Sequence, residues 1–144
     1  MADRLKNKVA LVSGAGSSGP GWGNGKATAV LFAREGARVI AVDINLAAAL
    51  ETKRIIEAEG GICEAVAGDV SRTDDVAAVV DACILAFGRI DVLHNNVGIV
   101  EVGGPVETSE ESWDRVNDVN MKSMFSDLQA GASAHGPTGE GRDR

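Results

Sequence analysis

Two patterns of apolar residues alternate along the chain. Lys8-Val-Ala-Leu-Val-Ser13 and Arg38-Val-Ile-Ala-Val-Asp43 are short, nearly continuous apolar runs, and Ile62–Ala67 and Ile90–His94 follow with polar residues interspersed. Runs of this length predict strands, and the first two, apolar on both faces, predict strands buried on both sides. Between them the apolar positions take a helical period: Lys26 to Glu35, with Ala27, Val30 and Leu31 on one face, then Leu46 to Glu59 and Thr73 to Phe87. Strand starts recur every roughly 25 to 30 residues, the length of a strand plus a crossover helix, which predicts a parallel sheet with right-handed connections. The expected fold class is therefore α/β, a Rossmann-type doubly wound parallel sheet that stops after about four strands and the following helix.

That following helix is announced by Thr108-Ser-Glu-Glu111, a capping-box spacing in which the Thr108 hydroxyl takes an orphan amide and Glu111 reaches back. It is expected to run to about Phe125. From Ser126 onward a stretch rich in Gly, Ala and Ser has Leu128 as its single large apolar residue, which predicts a disordered tail over 126–144 behind one domain over 1–125.

Composition narrows the functions open to such a fold. The 144 residues are 44% hydrophobic and 24% charged, enough for one globular domain with a modest core. A net charge of −7 argues against nucleic acid, which needs clustered cations. Val9–Val12 is too short for a signal-peptide core and no later run approaches a membrane span, so a cytoplasmic protein without membrane contact is expected. Cys63 and Cys83 stand apart without metal-ligand spacing and read as buried thiols; no metal site is expected.

The chemistry lies in Ser13 to Ala29. Gly14-Ala-Gly16-Ser-Ser-Gly19 is literally G-x-G-x-x-G directly after a strand, the dinucleotide fingerprint. Its third glycine should open a helix, yet Pro20, Gly21, Gly23 and Gly25 follow, and each glycine in a helix interior costs about 1 kcal/mol. A second reading takes Gly14 for the strand exit and Gly23-Asn24-Gly25 for the helix entrance. The helix then begins near Asn24, and its terminal amides face a pyrophosphate. A P-loop nearly fits at Gly25-Lys26, but Pro20 and Ala27 stand where it needs glycine and a hydroxyl. Asp43, about 20 residues on and at a strand end, suits both hydroxyls of a ribose and would repel a 2′-phosphate, which favours NAD, with NADP the lesser choice.

These residues resemble the short-chain dehydrogenase/reductase family. Ser13-Gly14 through Gly23-Asn24-Gly25 is similar to its glycine loop with an insertion. Gly68-Asp69-Val70 is similar to its adenine-contacting strand end, Asn95-Asn96-Val97-Gly98 to its Asn-Asn-Ala-Gly motif, and Trp113 to Lys122 to the helix that carries the asparagine of its catalytic tetrad. The likeness runs from about Lys8 to Phe125. It implies an oxidoreductase moving hydride between a nicotinamide and an alcohol or carbonyl substrate, with homo-oligomers common among relatives. It places Asp69 and Val70 at the adenine, Asn95, Asn96 and Gly98 along the cofactor, with Asn95 also tying the fourth strand to its neighbour, and Asn120 at the water that links the active-site lysine to solvent. Each Asn or Asp has a plainer alternative as a local cap or turn.

The resemblance also sets a limit. The family's base is a tyrosine whose pKa, about 10 when free, is lowered by a lysine four residues later. This chain contains no tyrosine. His94 falls in a predicted strand, where a packed imidazole is the expectation, and His135 in the tail. The chain is therefore expected to be the cofactor-binding part of such an enzyme and inactive alone, or, alternatively, a non-catalytic nucleotide-binding or interaction module. The fourth strand would be an exposed edge. The change at Ser126 also admits a shifted reading frame, because back-translation one nucleotide later yields a string similar to the family's continuation.

Overall fold

The computed structural model describes residues 3–134. Four strands, β1 (Val9–Ser13), β2 (Arg38–Asp43), β3 (Ile62–Ala67) and β4 (Val92–Asn95), form one parallel sheet in the order β3-β2-β1-β4. Helices α1 (Asn24–Arg34), α2 (Leu46–Ala58) and α3 (Thr73–Phe87) make the crossovers, and α4 (Glu110–Asn117) and α5 (Ser123–Ala134) follow β4. The order β-α-β-α-β-α-β matches the sequence pattern, and α1 begins at Asn24, after the helix-breaking glycines.

The apolar runs explain the layers. Successive strand residues point to opposite faces, so Ala10, Val12, Val39 and Ala41 pack with Ala29, Val30 and Ile56 of α1 and α2 on one side. Val9, Leu11, Ile40 and Val42 pack with Val79, Val80 and Cys83 of α3 on the other. Every residue of β1 is buried, because both faces and both edges are covered. β3 and β4 are the edges of the four-stranded sheet. The register sets Ser13 beside both Val42 and Asn95, which brings the C-terminal ends of β1, β2 and β4 together.

Two expectations fail beyond β4. Thr108 does not cap α4: its hydroxyl donates to Gly104 O at 2.8 Å, and Ser109 Oγ accepts the Ser112 amide at 3.1 Å. The chain turns into the helix one residue later, with Ser109 still extended at φ −75°, ψ 158°. Nor does the helical segment stop at Phe125. A π turn at Asp118–Lys122 joins α4 to α5, which runs to Ala134, so 126–134 is helix rather than disordered tail. Except for Gly131, residues 126–134 disfavour a helix only mildly, and α5 lies across α3 and β4. The remainder of the expected tail, with His135, lies outside the described residues.

Candidate functional site

A cavity of about 520 Å³ opens where the C-terminal ends of β1, β2 and β4 meet. That volume is within the range of small-molecule and cofactor sites, about 300–1,000 Å³. Its walls come from the loop after β1 and the start of α1 (Gly14, Gly16–Ser18, Gly23–Gly25), from Asp43 and Ile44, from Gly68–Ser71, from Asn96–Ile99, and from Arg115 and Val119. Of the sequence-predicted residues, Gly14, Gly23, Asn24, Gly25, Asp43, Asp69, Val70, Asn96 and Gly98 all line it.

The glycines divide by what their neighbours leave room for. Gly14 sits at φ +63°, and its carbonyl lies where a Cβ on Gly25 would have to go, so strand exit and helix start touch backbone to backbone. Gly16 is equally constrained: a Cβ there would overlap Ala48 of α2 and stand 2.8 Å from Asp43 Oδ2. Gly23 has no crowding neighbour and ordinary N-cap geometry, so its lack of a side chain serves the opening and not the packing. Of the two later glycines of the literal G-x-G-x-x-G spacing, Gly16 is thus required by packing, while Gly19 has open space around it. Ser17, which sequence reasoning passed over, closes the loop: its hydroxyl accepts the Gly23 amide at 2.9 Å and donates to Gly21 O at 3.0 Å. The first intrahelical bond of α1 runs from Ala27 N to Gly23 O, so the amides of Asn24, Gly25 and Lys26 have no partner within the helix. Lys26 itself is buried, its ammonium 5.2 Å from the Trp22 ring centroid.

Asp43 stands across the cavity with each carboxylate oxygen holding one backbone amide: Gly16 on Oδ2 at 3.0 Å and Asn45 on Oδ1 at 2.9 Å. Each oxygen keeps a second lone pair for an incoming donor. Asp69 is held by its own turn, its Oδ1 accepting the Ser71 amide at 3.0 Å and the Ser71 hydroxyl at 2.6 Å. At the rim, Arg115 and Ser112 both bond Glu101, and the Ser112 hydroxyl followed by the Arg115 guanidinium hold its carboxyl below the usual carboxylate range.

The asparagines depart from expectation in part. Asn95 pairs with Ser13 in the β1–β4 ladder, which ties β4 to its neighbour as expected, and Asn96 extends the tie, with its Nδ2 donating to Gly14 O at 3.1 Å and its amide to Ser13 Oγ at 3.3 Å. Asn95 does not line the cavity; its Oδ1 is buried without a hydrogen-bond partner at the end of the edge strand. Asn120 does not line it either. Its side chain grips Ile99, accepting the amide at 2.7 Å and donating to the carbonyl at 2.9 Å, which fixes the cavity floor from behind. The π turn aims it there: one extra residue per turn shifts Asn120 around the axis. His94 packs edge-on against Phe32 with centroids 6.0 Å apart, the packed role its strand position predicts. Cys63 and Cys83 are buried, and burial pushes their thiols up to about 12 and about 11, which keeps both protonated and unreactive.

Among the described residues no helix is long and apolar enough to cross a membrane, and no group of His, Cys, Asp and Glu could hold a metal ion.

Comparison with known proteins agrees with this architecture. The family model "short chain dehydrogenase" matches residues 8–141, past the point where sequence reasoning ended the likeness. Cyclohexanol dehydrogenase of Acinetobacter sp. (strain SE19) is 40% identical over 126 residues, 87% of this chain and 48% of that protein. The 3-oxoacyl-[acyl-carrier-protein] reductase FabG of Thermotoga maritima is 43% identical over 131 residues, 88% of this chain and 49% of its own. A crystal structure of a short-chain dehydrogenase/reductase from Burkholderia xenovorans superposes with a TM-score of 0.87 at 43% identity, over 91% of this chain and 52% of that one. The chain spans about half the length of the curated relatives it matches. With the parallel sheet, the glycine loop and the cavity at the strand ends, these matches establish that the chain belongs to the short-chain dehydrogenase family, whose members use a nicotinamide dinucleotide.

Proposed function

We propose that this chain is the cofactor-binding portion of an NAD-preferring short-chain oxidoreductase acting on an alcohol or carbonyl substrate, and that it binds without turnover by itself. The observation that carries the reading is Asp43, a carboxylate with two free lone pairs facing the unpartnered amides of α1 across an open cavity. A dinucleotide fits this donor set: amides for phosphate on one side, a ribose-diol acceptor on the other, and no side chain on Gly23 between them. Bound nicotinamide supplies or accepts hydride; the chain's own residues hold and orient it.

The amides of Asn24 to Lys26 receive the pyrophosphate, and Asp43 receives the ribose hydroxyls while repelling a 2′-phosphate. Val70 and Asp69 flank the adenine. Gly14, Asn96 and Gly98 give a wall close to the backbone, with Asn95 behind it. Asn120 acts through Ile99 here and would serve the lysine-linked water in full-length relatives.

Proton transfer to or from the substrate oxygen needs a positioned acid or base. The tyrosine that serves the family is missing from these 144 residues, which also favours the second reading, a non-catalytic nucleotide-binding module. Isothermal titration with NAD, NADP and AMP, with a dehydrogenase assay beside it, separates the cases. Saturable NAD binding stronger than NADP, without turnover, is expected; a folded sample that binds none of the three removes the cofactor reading, and turnover removes the inactivity.

A further inference from the structure

One peptide unit in the glycine loop is held at both ends. The Ala15 carbonyl accepts the hydroxyl of Thr52 at 2.7 Å, across 37 positions of sequence, and the Gly16 amide of the same peptide donates to Asp43 Oδ2 at 3.0 Å. The preceding amide, Ala15 N–H, is fixed to Val42 O at 2.9 Å. Thr52 is fully buried in the second turn of α2, and Ala15 is fully buried beneath the loop. A helical threonine ordinarily returns its single hydroxyl proton to the carbonyl four residues back. Here that partner, Ala48 O, is 3.3 Å away, and the shorter bond goes to the loop.

We propose that Thr52 is a positioning residue for Asp43, and that the orientation of the Ala15–Gly16 peptide sets how strongly the site prefers a free ribose diol to a 2′-phosphorylated one. The proposal rests on the ligand reading given above. The hydroxyl orients the carbonyl; the planar peptide transmits that orientation to the Gly16 N–H on its other side; the amide fixes Asp43 Oδ2. Without the hydroxyl, the buried carbonyl has lost its donor, and the peptide rotates to find another. Asp43 then keeps only its Asn45 anchor and samples rotamers that no longer present both oxygens. Close packing of Gly16 on Ala48 makes α2 a template for the loop, so the effect needs no change in the sheet.

The test compares wild type with Thr52→Val, which keeps shape and removes the hydroxyl, and with Thr52→Ser, which restores it; Thr52→Ala serves if the valine variant does not fold. Two readouts are taken. In glycine-labelled protein, the Gly16 amide resonance should move on Asp43→Ala in the wild-type and Thr52→Ser backgrounds and lose that dependence in the Thr52→Val background. In titrations, Thr52→Val should weaken NAD about tenfold, the loss of one hydrogen bond, with NADP nearly unchanged. Equal losses for NAD and NADP, or a Gly16 resonance that still tracks Asp43, would overturn the proposal. If wild type binds neither nucleotide, the ligand reading falls, and the Gly16 resonance still decides whether Thr52 positions Asp43.

Discussion

Replacing Asp127 by asparagine should stabilise the protein near neutral pH and remove a dependence on acidity. Asp127 lies on the inner face of α5, 6% exposed, against Leu11, Val42, Val76, Val79, Ile90 and Leu93. The groove between α3 and α5, which shares Val76 and Val80 with the cavity around Asp127, holds Asp81 and no cation. Burial alone pushes the Asp127 carboxyl from 3.8 up to about 6. At 1.36 kcal/mol for each tenfold change in acidity, that rise costs about 3 kcal/mol once the group is ionised in both states. The sign follows from proton binding. The folded state holds the proton more tightly, so this group destabilises fully above about pH 6 and not at all well below 3.8. Wild type should therefore approach the variant on acidification. Urea unfolding of both proteins across that range gives the difference, in which the opposing carboxylates, such as Glu35 and Asp91, cancel. The asparagine amide retains some desolvation cost, so the expected gain near pH 7 is about 1–3 kcal/mol. A gain that does not vary with pH, or a loss at neutrality, would refute the reasoning.

Four further outcomes are expected. Gly25→Ala should cost about 3 kcal/mol or more, since its methyl meets the backbone carbonyl of Gly14 and not a movable side chain; melting curves beside Gly19→Ala, expected nearly neutral, check it. Asp43→Ala should weaken NAD by about 10- to 100-fold, the worth of a charged hydrogen bond, and NADP much less, read by titration calorimetry. Cys63 and Cys83 should resist a thiol reagent in the folded protein and react on unfolding, in line with thiols pushed up to about 12 and 11. Asn120→Ala should strip two hydrogen bonds from Ile99, destabilise by about 1–3 kcal/mol and loosen the loop after β4, seen as faster amide exchange at Ile99.

The sheet was legible because its signal is local. A strand buried on both faces must be apolar at every position, so Val9–Val12 and Val39–Val42 declare themselves, and helical periodicity between them fixes the crossovers. The start of α1 was legible for the same reason, since glycine and proline in succession cannot propagate a helix. The cap of α4 slipped by one residue because Thr108 and Ser109 are both competent caps, and the choice depends on how the loop from Asn96 arrives. The length of α5 was missed because its inward face is small and polar, Ser123, Ser126 and Gly131, while Met124, Phe125 and Leu128 face outward. A composition rule reads that stretch as tail; contact with α3 and β4 makes it helix.

By itself, the sequence determined the order of elements, the parallel sheet and the residues that gather at its C-terminal edge, since each follows from periodicity or from a residue type with restricted backbone freedom. Only the tertiary structure decided which glycines are obligatory, that the Asn96 side chain reaches the Gly14 carbonyl beyond the end of the β1–β4 ladder, and that Thr52 and Asp43 grip one peptide from opposite sides. Those outcomes depend on contacts between residues tens of positions apart, and such distances come into being only when the chain has folded.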